Sequence, residues 1–285
     1  MSLFTYRAFI ASETACLRLL RQLRWPRGIR CVACDYARVW RMQEAGRTEY
    51  RCKRCSHHFS DTSGTVFARS RTPLAKWVLA IGLFRVGCSA RALAQELCVT
   101  YKTAWTLLTT LRTVLAADPL LTRLAGHVEV DETYFGGRRK GKRGRGAAGK
   151  TPVVGLRQRD GHVRSLVVPN VQSCTLRAVI RQHVTRGSVV VTDQYSSYNR
   201  VRRDGFRHHR IDHTVRFVRG QTHTQHIEGY WGHVKPQITA RHRQIAPHRL
   251  QGYLAEADFK FNTRKESDFI GLMLNKLIQP YPRRG

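Results

Sequence analysis

Ser188-Val-Val-Val-Thr-Asp193 is a run of β-branched residues that closes on a carboxylate. Apolar at successive positions rather than alternate ones, it has the pattern of a strand buried on both faces. Upstream, His127-Val-Glu-Val-Asp-Glu-Thr133 alternates instead. Val128 and Val130 take one face, and Glu129, Asp131 and Thr133 take the other. Glu132 then points away from Asp131, and Glu129 is the competing acid on Asp131's face. Between these two segments, Pro152–Gln158 and His162–Val168 flank Arg159-Asp-Gly161, and Asp-Gly between alternating apolar runs predicts a hairpin. A helix over Thr175–Thr185 precedes the Ser188 run. A helical stretch Tyr195–Arg203 and a short strand Arg207–Ile211 follow it. This order predicts an α/β domain with a mixed sheet. Asp131 lies in its first strand and Asp193 in its fourth, and they are neighbours if those strands pair.

A third acid comes later, in Thr224-Gln-His-Ile-Glu-Gly-Tyr-Trp-Gly-His-Val-Lys235. Glu228 and Lys235 are seven residues apart, and at ~3.6 residues per turn they share one helical face. A solvated ion pair is the ordinary reading of such a pair. Three carboxylates from two strands and a later helix can instead hold two divalent ions for phosphoryl transfer. Tyr230 and Trp231 read as core or as base-stacking residues, and Pro236 limits or kinks the helix. Pro247–Lys265 reads as an amphipathic helix, and residues 280–285 as a frayed tail.

The charge is extreme. Fifty Lys+Arg against nineteen Asp+Glu give a net +31 over 285 residues, with a sequence pI near 11.0. A polyanion neutralises such a surface, and nucleic acid is the leading candidate. An anionic membrane surface is the weaker one. The most apolar run, Trp77–Phe84, is far shorter than the ~20 residues that span a bilayer. Met1–Arg7 lacks the layout of a signal peptide, so an intracellular protein is expected.

Ahead of the α/β domain, Cys31-Val-Ala-Cys34 and Cys52-Lys-Arg-Cys55 stand seventeen residues apart. Two such knuckles fit one tetrahedral zinc held by four thiolates. His57 and His58 follow, but four sulfurs already complete the shell. Cys16, Cys88, Cys98 and Cys174 read as buried thiols. A helix around Thr14–Leu23, with Leu17, Leu20 and Leu23 on one side, reads as a packing or dimerisation element. A helix Leu74–Val86 follows. Then Ser89–Leu97 and Thr100–Arg112, each opening on a good N-cap residue, look like a helix-turn-helix. Tyr101, Lys102 and Thr103 would meet DNA from the second helix, the alternative being an ordinary helical hairpin. Asp118-Pro119 breaks that helix and sets a domain boundary near 115–126. Beyond it, Gly136–Lys150 holds seven cations and no acid after Gly137. Arg138, Arg139, Lys140, Lys142 and Arg143 there are expected to order on phosphate.

Taken together the motifs resemble bacterial insertion-sequence transposases of the zinc-ribbon-bearing ISXO type. The ribbon, Phe59-Ser-Asp-Thr-Ser-Gly-Thr-Val-Phe67 and Lys102-Thr-Ala-Trp105 carry the likeness. So do Val130-Asp-Glu-Thr-Tyr-Phe-Gly-Gly137, Thr192-Asp193, His223-Thr, Ile227-Glu-Gly-Tyr-Trp231 and Lys260-Phe-Asn-Thr-Arg264. Val32 and Asp35 depart from the group's Cys-Pro-x-Cys-Gly, and Gln225 from its His-Thr-Asn. The resemblance implies a ribonuclease-H-like mixed sheet with flanking helices, behind a small zinc ribbon and a helix-turn-helix. The layout is then a helix and ribbon over 1–70, a DNA-binding domain over 71–120, a catalytic domain over 121–270 and a tail over 271–285. It implies Asp131, Asp193 and Glu228 as catalytic acids on two Mg²⁺ or Mn²⁺ ions, with Lys235 on a phosphate. One structural zinc is implied at the cysteines. Double-stranded DNA, both element ends and target, is the implied partner of a homodimer or higher oligomer in the bacterial cytoplasm, at the nucleoid. Two rivals remain: a related nuclease that cuts without joining, and a zinc-ribbon regulator whose nuclease-like domain is inactive.

Overall fold

In a computed structural model the described residues are 6–44, 47–68, 70–117, 123–136, 149–211, 223–242 and 245–280. The chain forms two compact units, one of residues 1–114 with 265–285 and one of residues 115–264.

The first unit opens with α1 (Arg7–Ile10) and α2 (Glu13–Arg24). The Ser12 hydroxyl caps α2 by accepting from the Ala15 amide at 3.1 Å. The buried stripe of α2 is Cys16, Leu19 and Leu20, rotated from the Leu17–Leu20–Leu23 face expected. The zinc-ribbon segment is an antiparallel sheet of β1 (Val39–Glu44), β2 (Arg47–Cys52) and β3 (His58–Ser60). Its core is little more than Tyr50, Phe59 and two of the cysteines. Asp61, 1% exposed, joins α2 to the ribbon: it accepts both Arg21 bonds (2.9 and 2.7 Å) and the Tyr50 hydroxyl (3.0 Å).

Three helices follow: α3 (Leu74–Val86), α4 (Ala90–Glu96) and α5 (Tyr101–Ala116). α3 is apolar all round and buries Leu74, Trp77, Val78, Ala80, Ile81 and Phe84. Ser89 and Thr100 cap the next two, accepting from the Ala92 and Thr103 amides at 3.1 and 3.2 Å. Of the four cysteines outside the knuckles only Cys16 is buried. Cys88 is partly covered, and Cys98 and Cys174 are exposed, so the buried-thiol expectation fails for those three.

The second unit carries β4 (His127–Phe135), β5 (Thr151–Gln158), β6 (Val163–Val167), α6 (Ser173–His183), β7 (Val189–Asp193) and β8 (Arg207–Ile211). The sheet order is β6-β5-β4-β7-β8. The first three strands form an antiparallel meander, and β7 and β8 join in parallel. This is a mixed sheet, as the sequence implied. Asp160 has φ 56°, the left-handed turn its Asp-Gly signature called for. The Tyr195–Arg203 stretch is two 3-10 turns, Ser196–Tyr198 and Val201–Asp204, rather than one helix.

Alternation along the strands builds two cores. Val128, Val130, Val154, Leu156 and Val190 pack with Leu176 and Ile180 of α6 on one face. Phe135, Val153 and Val163 pack on the other with α7 (Gln225–Arg241) and α8 (Pro247–Asn262). α7 continues past Pro236, so of the stop or kink expected there the stop does not occur. The ring faces the carbonyl four residues back, which belongs to Gly232, and Val234 and Ile238 anchor the helix on both sides of it. α8 covers the edge of β6 with polar side chains. Gln251 binds Val167 N and Ser165 O, Asp258 accepts from Ser165 N, and Asn262 binds both backbone groups of Val163. The edge ladder is thus satisfied without a further strand.

The chain then returns to the first unit as α9 (Phe269–Leu277), which buries Phe269, Ile270, Met273, Leu274 and Leu277. The catalytic domain was expected to run to 270 with a tail beyond it. Instead the apolar run after Asp268 is a core helix of the other unit. The boundary expected near 115–126 falls at 114/115.

Candidate active site

Two residues beyond the paired Glu129 and Val191, the parallel strands β4 and β7 each reach an aspartate, Asp131 and Asp193. Odd-numbered side chains of β4 face α7. Glu129 contacts the His226 and Ile227 amides, and Thr133 accepts from Lys235 Nζ at 2.8 Å. Even-numbered Glu132 points to the opposite face, where it accepts from the Tyr198 hydroxyl at 2.7 Å. Asp131 therefore shares its face with α7, whose first turn carries Glu228. The Thr224 hydroxyl donates to Glu228 Oε1 at 2.6 Å, and Asp193 Oδ1 accepts from Tyr195 N at 2.9 Å.

The acids act on one another electrostatically. Burial, then the charges of Glu132, Asp193 and Glu228, push the Asp131 carboxyl up to about 7. Carboxylates crowded in this way disfavour one another's ionisation unless a cation neutralises them. That is the observation that fits Asp131, Asp193 and Glu228 to divalent metal. Lys235, two turns beyond Glu228, is half-buried. Burial and Lys150 lower its pKa, and Asp131 works against that shift.

Among the described residues, two groups of His, Cys, Asp and Glu bring three or more ligand atoms within 4.8 Å of one another. One is Cys31, Cys34, Cys52 and Cys55, with Sγ···Sγ separations of 3.4 to 3.6 Å. Four sulfurs ~2.3 Å from one zinc have about that spacing. The Ala33 and Arg54 amides donate to Cys31 and Cys52 Sγ at 3.4 and 3.3 Å, as thiolate ligands require. His57 and His58 are outside the set. The second group, Glu129 with His223 and His226, was not foreseen, although the alternation had put Glu129 on the correct face. Asp131, Asp193 and Glu228 do not form such a group.

Tyr101 is 60% exposed and Lys102 is exposed as well. Thr103 is partly covered, its hydroxyl 3.0 Å from that of Thr100 in the cap. Tyr230 and Trp231 are both core, at 2% and 5% exposure. Arg138, Arg139, Lys140, Lys142 and Arg143 lie outside the described residues.

The family model described as the ISXO2-like transposase domain matches residues 123–262, and that of the transposase zinc-ribbon domain matches residues 11–58. A transposase-like protein of Haemophilus influenzae is 32% identical over 111 residues, covering 89% of that protein and 39% of this chain. The chain belongs to the ISXO2-like transposases. A second relative of this transposase is a protein in the transposable element ISH50 of Halobacterium salinarum. It is 29% identical over 263 residues, 85% of this chain and 88% of the relative. The solved Mos1 strand transfer complex is a distant likeness, at 12% identity and a TM-score of 0.30 over 71% of this chain and 74% of that one. That score is too low to bear on fold or chemistry. No described helix of the transposase is long and apolar enough to cross a membrane.

Proposed function

We propose that this insertion-sequence transposase cuts and joins DNA by the mechanism in which two aspartates and a glutamate hold divalent metal. The placement of Asp131 and Asp193 two residues beyond paired positions of parallel strands, with Glu228 in the first turn of the helix on Asp131's face, carries the reading. Asp131, Asp193 and Glu228 hold the ions, which when bound supply an activated oxygen nucleophile and neutralise charge on the scissile phosphate. Hard carboxylate oxygens suit Mg²⁺ or Mn²⁺, and three carboxylates can hold a pair of such ions. Lys235, steadied by Thr133, holds a backbone phosphate beside the acids. The four cysteines hold one structural zinc. Arg138, Arg139, Lys140, Lys142 and Arg143, with Tyr101, Lys102 and Thr103, bind element ends and target DNA. The working form is a dimer or higher oligomer on DNA in the cytoplasm.

The test uses the full chain and duplexes bearing the inverted repeats that flank its reading frame. Asp131→Asn, Asp193→Asn and Glu228→Gln each abolish Mg²⁺-dependent cleavage and leave DNA retention near wild type. Any of the three that cuts at the wild-type rate removes its acid from the set. Cleavage without joining of pre-cut ends reduces the protein to a nuclease. Binding with no cleavage by the wild-type chain reduces it to a regulator.

A further inference from the structure

Glu129, two residues before Asp131, is 0% exposed, and its partners lie at the start of α7. Its Oε2 accepts from the His226 and Ile227 amides at 3.0 and 3.1 Å. Its Oε1 accepts from Arg159 Nη2 at 3.2 Å and lies 2.7 Å from His226 Nδ1 and 3.4 Å from His223 Nδ1. Directly across the β4–β5 ladder from Glu129 stands Arg157. Its guanidinium donates to the His226 carbonyl. That carbonyl and the Ile227 amide belong to one peptide group. An acid and a base paired across two strands therefore grip both sides of a single peptide, the one just ahead of Glu228.

The first amides of any helix lack intrahelical partners, and a carboxylate there is favoured by the helix dipole. A helix ordinarily supplies this cap from its own N-cap side chain. α7 makes no side-chain cap bond of its own; the amides that a Thr224 cap would reach, those of His226 and Ile227, donate to Glu129. The sheet supplies the cap instead.

We propose that Glu129 and Arg157 are positioning residues that fix the height and rotation of the first turn of α7, holding Glu228 in place against Asp131 and Asp193. This rests on the reading of those acids as the metal-holding set. The Glu129–His223–His226 group has a spacing that an ion could bridge. However, two amides already occupy Oε2, and an ion at Oε1 would face the Arg159 guanidinium. The clamp uses the carboxylate fully without a metal.

The test takes the full chain with Glu129→Ala, Arg157→Met and the conservative Arg157→Lys. Mn²⁺ binding is followed by electron paramagnetic resonance, and amide hydrogen exchange is followed over residues 223–235. Loss of a partner that orients a ligand weakens metal binding by about tenfold or more. That loss is expected for Glu129→Ala and Arg157→Met, smaller for Arg157→Lys, and absent when either is added to Glu228→Gln. Exchange in the first turn of α7 quickens while α8 is unchanged. Folded variants that bind Mn²⁺ as wild type does, or losses that add to that of Glu228→Gln, overturn the proposal. Should Glu129→Ala not fold, Arg157→Met carries the test. Mn²⁺ binding that survives Asp131→Asn and disappears with His223→Ala overturns the clamp in favour of a metal at Glu129. Should the wild-type chain bind no Mn²⁺ at the acids, the catalytic reading fails by itself. The clamp then stands on quickened exchange in Arg157→Met and falls on unchanged exchange.

Discussion

Gly155 lies across the ladder from Asp131, on the strand face that α7 covers. A Cβ added there would stand 2.3 Å from Trp231 Cζ2 and 2.9 Å from Ile227 Cδ1. The indole must retreat by about 1.1 Å to reach the 3.4 Å of an ordinary contact. It has little room, since Trp231 is 5% exposed and flanked by Phe135 and Tyr230. The helix moves instead, and Glu228, three residues ahead of Trp231, moves with it. Gly155→Ala is therefore predicted to cost about 1–3 kcal/mol by overpacking. In a unit of this size that lowers the melting temperature by roughly 3–10 °C. The loss of cleavage should be larger than the loss of stability suggests. A misplacement of ~1 Å at a catalytic group costs on the order of 100-fold in rate, measured below the melting transition with saturating DNA. Trp231→Phe removes the nearest clashing atom and leaves Ile227 Cδ1, so the double variant should recover part of both losses, a coupling that a double-mutant cycle reads directly. If Gly155→Ala melts and cleaves as wild type does, α7 is not seated on the sheet as described, and the geometry argued for Glu228 falls with it.

Three further outcomes follow from the same contacts. The ribbon core is too small to stand alone, so Cys34→Ser or strong chelation should release one zinc per chain, counted by mass spectrometry, and abolish its β-structure, since structural zinc supplies ~10–16 kcal/mol of folding free energy; a ribbon that stays folded without metal refutes this. Asp131 has a folded pKa of about 7 against 3.8 unperturbed, so ionising it opposes folding, and that penalty grows as pH rises from 4 to 7. Asp131→Asn should thus raise the melting temperature of metal-free protein at pH 8 and not at pH 4, and a destabilised variant at pH 8 refutes the crowding. His208, paired with the Thr192 hydroxyl at 2.9 Å, is held down to about 4 by burial and then by Arg210 and Arg202. The unfolded chain binds its proton first, so stability is lost as pH falls from about 6.5 to 4, and His208→Asn should flatten part of that slope in melts across the window.

What could be read in the sequence and what could not divides along the range of the interactions. The strands of the second unit, with Asp131 in one and Asp193 closing another, were legible because β-branched runs and a period of two are local signals, whereas the pairing of those two strands was a condition the sequence left open. The Asp-Gly turn and the Ser89 and Thr100 caps are local in the same sense. As a stop, Pro236 misled because a proline's cost is local while its remedy is not. Gly232 in the same helix and the packing of Val234 and Ile238 on the sheet offset it. α9 was taken for a tail because nothing near Phe269–Leu277 indicates that residues more than 150 positions earlier supply its core. The role of Glu129 was out of reach for the same reason. Alternation put it on Asp131's face, but its partners are amides 97 and 98 residues away, and backbone groups leave no trace in composition. A reading from sequence therefore finds candidate acids before it finds the buried residues that hold the helix carrying one of them. In the proposed clamp that task falls to Glu129 and Arg157, neighbours across the β4–β5 ladder, whose contacts with α7 appear only once the helix is folded onto the sheet.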